Sequence, residues 1–356
     1  MNDNISDLYV DYLLSSFGSV TSTGLSELVN GSISHDKITR FLSRKPKTSA
    51  DMWSVVKPLI RQIESPDGVL IIDDSISEKP STDENDIICW HYDHCRGRSV
   101  KGINFMTALY YIRDIALPIS FQIIAKTEYY IDPKDGKEKR RCPVPKNKYA
   151  REMIKQSVIN LIPFRYVLTD VWFASAENMM FIRHDVKKDF VMPVKTNRKI
   201  ALSHDDRRQG RYVRTDSIDF RTDNPTEIFL EDADFPMLLV KQVFVNKDGS
   251  TGTLYLVSSD ITLTHEQITT IYRKRWNVEC YHKSLKQNVS LEKSPTKIVN
   301  TQKNHFFASL CGYVRLEMFK ISSKLDHFAL KAKIYISALR SAFSELQKLQ
   351  PLKITA

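Results

Sequence analysis

Apolar and polar residues follow different periods in successive stretches of this chain, and the changes of period mark out its parts. Over residues 5 to 64, Leu8, Tyr9, Tyr12 and Leu13, and later Trp53, Val56, Leu59, Ile60 and Ile63, recur at helical spacing. Between these groups, Thr21 to Val29 predicts a short helix, Asn30-Gly31 a turn, and Ser34 to Ser43 a second helix capped by Ser34. Two short helices around a glycine turn suit a helix-turn-helix. The second would present His35, Lys37, Thr39 and Arg40 to DNA while Ile38, Phe41 and Leu42 pack inward. An ordinary helical hairpin fits the same pattern.

After the turn at Ser65-Pro-Asp-Gly68, the run Val69 to Ser75 is apolar on both faces until it reaches Asp73 and Asp74. It is too short for a helix and reads as a buried central strand. Gly102 to Ile112 and Leu117 to Lys126 predict two further strands joined by a turn at Arg113-Asp-Ile-Ala. Residues 132 to 148, rich in Lys and Pro, read as a surface loop. Next come a helix from Tyr149 to Leu161 with Met153, Ile154, Val158 and Leu161 inward, and a strand from Phe164 that ends in Asp170. A helix over Ala174 to His184 and a strand over Asp189 to Val194 follow.

From Lys195 to about Ser259 helical periodicity is absent, and short β-rich runs take over, with Asn246-Lys-Asp-Gly-Ser250 as a hairpin turn. Ile271 to Gln287 then predicts one amphipathic helix, with Ile271, Val278 and Leu285 in a stripe widened by Tyr281 and Val289. Residues 304 to 349 read as wholly helical. Their packing positions are Phe306, Phe307, Leu310, Tyr313, Leu316 and Phe319, then Ile334, Ile336, Leu339, Phe343 and Leu346.

Composition narrows the function. With 356 residues, 42% of them hydrophobic, the chain can bury a full core in roughly two or three structural units. Its 52 Lys and Arg against 42 Asp and Glu leave a net charge of +10, which favours a polyanionic partner. Neither an apolar run near a membrane span nor a signal or lipidation pattern is present, so a cytoplasmic protein that does not engage membranes is expected. Five scattered Cys, an odd number, argue for reduced thiols. The segment Cys89-Trp-His-Tyr-Asp-His-Cys95 holds zinc-ligand types at a spacing that matches no two-plus-two site. It reads better as a strand and loop that contacts DNA through His94, Arg96 and Arg98. The stretch Lys134 to Lys148 is either a DNA clamp or a solvated loop.

The densest chemistry lies on the predicted helix. Tyr272, Arg275, Glu279 and Lys286 are offset by three, four and seven residues, within an arc of roughly 60°, and His282 and Lys283 border it. A carboxylate ringed by cations and a phenol can ligate a metal while its neighbours grip phosphate. A solvated face laced with ion pairs is the plainer alternative, and an exposed helical His is the plainer reading of His282.

The order Tyr, two residues, Arg, three residues, Glu, six residues, Lys resembles the signature of insertion-sequence transposases of the DDE class, in their IS-four-like branch. The resemblance implies that Glu279 is the third metal-binding carboxylate and that Tyr272, Arg275 and Lys286 hold the transposon end. It also implies two earlier Asp on strands. Asp170-Val-Trp-Phe173 is similar to the family's second motif, and Ser75 two residues after Asp73 selects Asp73 for the first, with Asp74 as the alternative. Strand alternation lets only one of the two face the site. The element order matches ribonuclease-H-like nucleases and integrases. The expected fold is therefore α/β, a ribonuclease-H-like mixed sheet with a β-rich insertion and helical regions at both ends. Its parts would be a DNA-binding region at 1–64, a catalytic domain at 65–194 and 260–300, the insertion at 195–259, and a C-terminal helical region at 301–356.

Asp73, Asp170 and Glu279 would together hold Mg²⁺, with Mn²⁺ as a substitute, because hard ions prefer oxygen ligands. The implied activity is cut-and-paste transposition on double-stranded DNA, both element ends and target, by a homodimer in a synaptic complex at the bacterial nucleoid. The alternatives are a transposase-derived DNA-binding protein without catalysis, and a nuclease of the same fold without strand transfer. Trp276 lies some 140° from Ile271 on a regular helix, away from the apolar stripe, and would receive an unstacked base if a hairpin intermediate forms. Packing in the core is the other fate open to that Trp.

Overall fold

The structure, a computed structural model, describes residues 3–94, 96–218, 224–245 and 248–349. Four helices come first: α1 Asp3–Ser15, α2 Ser22–Leu28, α3 His35–Leu42 and α4 Ser49–Ile63. Strands β1 Val69–Glu78, β2 Ile88–Asp93, β3 Arg98–Ile112, β4 Ile115–Ile123, β5 Glu128–Ile131 and β6 Glu138–Arg141 follow. After them come α5 Lys146–Ile159, β7 Tyr166–Thr169, α6 Ala176–Met180 and β8 Asp189–Val194. The next stretch holds β9 Lys199–Ala201, α7 His204–Arg208, β10 Val213–Arg214, β11 Thr226–Leu230, β12 Met237–Val245 and β13 Thr251–Ser258. The chain closes with α8 His265–Arg273, α9 Asn277–Asn288, α10 Val299–Ser323 and α11 His327–Leu349.

Two compact units emerge, and several elements run from one into the other. One comprises Trp53–Ser75 and Asn104–Cys280. Its sheet runs β10-β9-β11-β12-β13-β8-β7-β1-β3, with β4 paired on β3. Val69 to Ile72 of β1 are fully buried, because β7 pairs with this strand in parallel and both faces of such a sheet are covered. β7 pairs in parallel with β8, while β3 and β4 form an antiparallel hairpin. Arg113 and Asp114 take φ values of 47° and 63° in its two-residue turn, the left-handed geometry that suits strand twist. Hairpin, central strand and two parallel strands make the expected ribonuclease-H-like mixed sheet. The β-rich insertion does not stand apart: β13 pairs with β8 and carries the same sheet onward. The predicted turn at 246–250 begins on residues outside those described, and β12 and β13 pair as far as Val245 and Thr251 on either side of it.

The other unit comprises Met1–Met52, Ile76–Ile103 and Tyr281–Ala356. Here α2 and α3 form as expected, capped by Thr21 and Ser34. Asn30 and Gly31 take positive φ between them. Ile38 and Leu42 are buried, Phe41 is half-buried, and His35, Lys37, Thr39 and Arg40 lie exposed. Among the described residues, no helix is long and apolar enough to cross a membrane.

Several expectations need correction. The stretch 132 to 148 is not a plain loop, since β5 and β6 pair across it and α5 already starts at Lys146. Cation–π contacts of Arg140 on Tyr129 and Arg141 on Tyr130 hold that ribbon together. On α5, Val158 points outward and Ala150, Met153, Ile154 and Ser157 are the buried positions, while Leu161 lies past the end of the helix and is exposed. The insertion contains the short helix α7, started by the cap Ser203. The C-terminal helical stretch breaks at Lys324, whose φ is 61°, and α11 restarts there under an Asp326 cap on the Ala329 amide. Phe319, Ile334, Ile336, Leu339, Phe343 and Leu346 are not core positions: Phe343 is 62% exposed, and all six keep over a third of their surface in water.

Candidate active site

The amphipathic stretch around residue 279 is not one regular helix. Lys274–Trp276 form a 3₁₀ turn between α8 and α9. The Asn277 side chain donates to the Lys274 carbonyl at 2.8 Å, competing with the ordinary helical bond, which is how Asn breaks helical ladders. The apolar stripe survives, with Val278, Tyr281, Leu285 and Val289 fully buried and Ile271 half-buried. Trp276 is 67% exposed, so it does not pack in the core.

Two carboxyls accept from one guanidinium, and a third feels its charge. Arg275 donates to Asp73 at 3.0 Å and to Glu279 at 3.3 Å. Asp73 comes from the buried run of β1 and is itself buried. Its carboxyl is pushed up to about 8 by burial, which the charge of Arg275 opposes and the carboxylates of Asp170, Asp74 and Glu279 reinforce. Asp170 follows β7 directly and accepts from the Trp172 amide at 2.9 Å, which fixes its rotamer in an Asx-type turn. Burial raises it as well, while the Trp172 amide and Arg275 pull the other way. Tyr272 completes the cluster: the Arg275 guanidinium lies 6.0 Å over its ring, and burial drives its hydroxyl to about 12.

The two competing aspartates have different partners, and the charge of Asp74 also raises Asp170. Asp74 accepts from Asn104 at 2.8 Å and from Lys146 at 2.7 Å, so its charge is already answered. Those two partners were not legible in the sequence, because neither β3 nor the start of α5 carries a motif. Lys286 is held elsewhere: within the helical unit it donates to the Ile76 carbonyl at 2.8 Å. Lys37 and Arg40 stay on the exposed face of α3. His282 is buried, with its ring 5.2 Å from that of Tyr281, and is neither an exposed helical His nor available to bind phosphate.

A cavity also went unforeseen. It opens at Val171, one residue past Asp170, has a volume of about 440 Å³, and is lined by Trp172, Lys195, Arg198 and Lys199 among others. Lys195 sits 5.0 Å over the half-exposed Trp172 ring. The only signal for it was the aromatic two residues after Asp170.

The donor set suits a divalent ion. Asp73, Asp170 and Glu279 offer carboxyl oxygens, the ligands Mg²⁺ prefers. Among the described residues, no three His, Cys, Asp or Glu side chains already stand as close as a metal shell requires. Arg275 lies between Asp73 and Glu279 and supplies the positive charge there.

Comparison with known proteins bears on these residues. A family model described as DDE superfamily endonuclease matches residues 3–226, and one described as Transposase DDE domain matches residues 141–315. No curated protein matches the chain. A solved structure described as a Drosophila P element transposase strand transfer complex is similar at 11% identity and a TM-score of 0.26. The match covers 48% of this chain and only 33% of that one, about a third of its length.

Proposed function

Because the chain belongs to the DDE superfamily endonucleases, we propose that it is a Mg²⁺-dependent transposase. It would cut double-stranded DNA at the ends of an insertion sequence and join them to target DNA as a homodimer. One observation carries this reading: Asp73 of β1 and Glu279 of α9 both accept from Arg275, and Asp170 at the end of β7 lies near enough to feel its charge.

In this reading the three carboxylates hold the metal, which, when bound, activates a water or 3′ hydroxyl and stabilises the leaving oxygen. Arg275 grips a phosphate of the bound end, and its stacking on Tyr272 keeps the guanidinium plane oriented for two parallel hydrogen bonds. Lys286 adds a contact further along the strand, and α3 recognises the end through Lys37 and Arg40. Asp73 is favoured over Asp74, whose carboxylate is occupied by Asn104 and Lys146.

The test is a cleavage and joining assay on a plasmid carrying the inverted repeats that flank the gene. Asp73→Ala, Asp170→Ala and Glu279→Ala should each lower cleavage about a thousandfold or more and leave end binding within a few-fold. Near-normal cleavage by Asp170→Ala or Glu279→Ala would reject the assignment. Normal cleavage by Asp73→Ala with loss in Asp74→Ala would move the first position to Asp74. Cleavage without joining would leave a nuclease.

A further inference from the structure

Edge strand β2 holds two large rings in water. Trp90 is 52% exposed and Tyr92 55%. As residues i and i+2 they stand on one face, roughly 7 Å apart along the strand. His94 follows two residues on, its ring 4.7 Å from that of Tyr92. The neighbouring strand adds charge: Lys101 pairs with Trp90 in the ladder and places its ammonium 6.0 Å over the indole. Arg98 pairs with Asp93 at the end of the same ladder, on the opposite face from Trp90 and Tyr92. The alternate positions turn inward, with Cys89 and Val100 buried, so the core of this unit is filled without Trp90 or Tyr92.

Such a face on a sheet edge invites unwanted pairing unless something uses it. We infer that it is a stacking platform for the unpaired bases of single-stranded DNA. Bases within a duplex strand lie about 3.4 Å apart, half the ring spacing here, and hide their faces in the stack. A single strand can spread its bases to the longer step, and any base offers a π-face to an aromatic ring. Lys101, on the same face and on a chain of net charge +10, supplies a cation for its phosphates. The inference rests on the proposed DNA-cutting function in one respect: opening of an element end is what would present a single strand.

The experiment uses the full chain, a (dT)12 oligonucleotide and a mixed-sequence duplex of the same charge. In wild type, (dT)12 should quench the emission of Trp90, read as the difference between wild type and Trp90→Phe. Trp90→Ala with Tyr92→Ala should weaken (dT)12 binding by roughly fivefold to a hundredfold and leave duplex binding within about twofold. Trp90→Phe, which keeps a ring, should retain most of the affinity, and it reports on the platform even if the double variant does not fold. Unchanged (dT)12 affinity in the folded double variant, or an absent quench, overturns the platform. So does a fall from dimer to monomer on substitution, since the face would then cover a second copy of the chain. Metal-dependent cleavage with no quench would reject the platform and leave the proposed enzyme standing. A quench without cleavage would do the reverse.

Discussion

In the helical unit, His305 lies buried with one ring nitrogen facing the Tyr9 hydroxyl at 3.0 Å and the other the Leu291 carbonyl at 3.1 Å. Close by in sequence, Asn304 donates to the Leu42 and Arg44 carbonyls and accepts from the Lys47 amide. Each of these polar groups meets its complement, and the neutral form of His305 satisfies both contacts at once. The sheet unit is less balanced: there Asp73 and Glu279 both accept from the single guanidinium of Arg275, and Asp170 feels the same charge. A balanced polar network holds a fold in one register. A cluster with more carboxyls than cations, one of them buried and pushed up to about 8, is costly to the fold and becomes useful once a charged partner arrives.

Removing the shared cation should break the contrast most visibly. Arg275→Ala removes the hydrogen-bond partner of Asp73 and Glu279 and is expected to cost about 1 to 3 kcal/mol of stability, part of it restored by millimolar Mg²⁺ if the proposed metal site forms. Denaturant melts with and without the ion provide the check, and a variant as stable as wild type in chelator would show that the surplus is not felt.

The helical unit should answer to acid instead. Burial lowers His305 to about 4, below the ordinary 6.5 of an unfolded His, so between those values the unfolded chain binds the extra proton. Its stabilisation is thus complete above about pH 6.5 and is lost as pH falls towards 4, by about 3 kcal/mol in all. The raised carboxyl of Asp73 tilts the profile the opposite way, so the wild-type curve minus that of His305→Gln isolates the effect. A difference that stays constant from pH 7 to pH 4.5 would contradict it.

The smallest effect belongs to Trp276, which lies next to the surplus yet takes no part in the core. Trp276→Ala should leave melting within about 0.5 kcal/mol and first-strand nicking near normal. Any hairpin product on the cut end should fall by roughly tenfold, the loss of one stacking contact. Denaturing gels of labelled ends resolve both products, and an unchanged hairpin yield rejects the role.

Much of this arrangement could be read from residue order, for identifiable reasons. The run Val69 to Ile72 announced a strand covered on both faces, and the acids that end this apolar run and follow β7 stood beyond the four residues of β1 that pair in parallel with β7. The spacing from Tyr272 to Glu279 was legible because it places Tyr272, Arg275 and Glu279 on one side of a helix. What escaped depended on contacts distant in sequence or on single side chains. Lys146 reaches Asp74 across 72 positions, and nothing local to either marks the pair. The β5–β6 ribbon is held by arginines on tyrosines, so its composition resembled a solvated loop. The apolar spacing of α11 was real, but periodicity shows that a helix has a face, not that this chain covers it.

The 3₁₀ turn at Lys274–Trp276 bears on any attempt to transplant the motif. Each of its residues turns the chain by about 120° instead of 100°, so three of them add roughly 60°, a sixth of a revolution, between Tyr272 and Glu279. Grafting the four signature residues onto a regular host helix with every spacing kept would leave the phenol and the carboxylate out of phase. Asn277, which carries no charge and belongs to no motif, would have to travel with them.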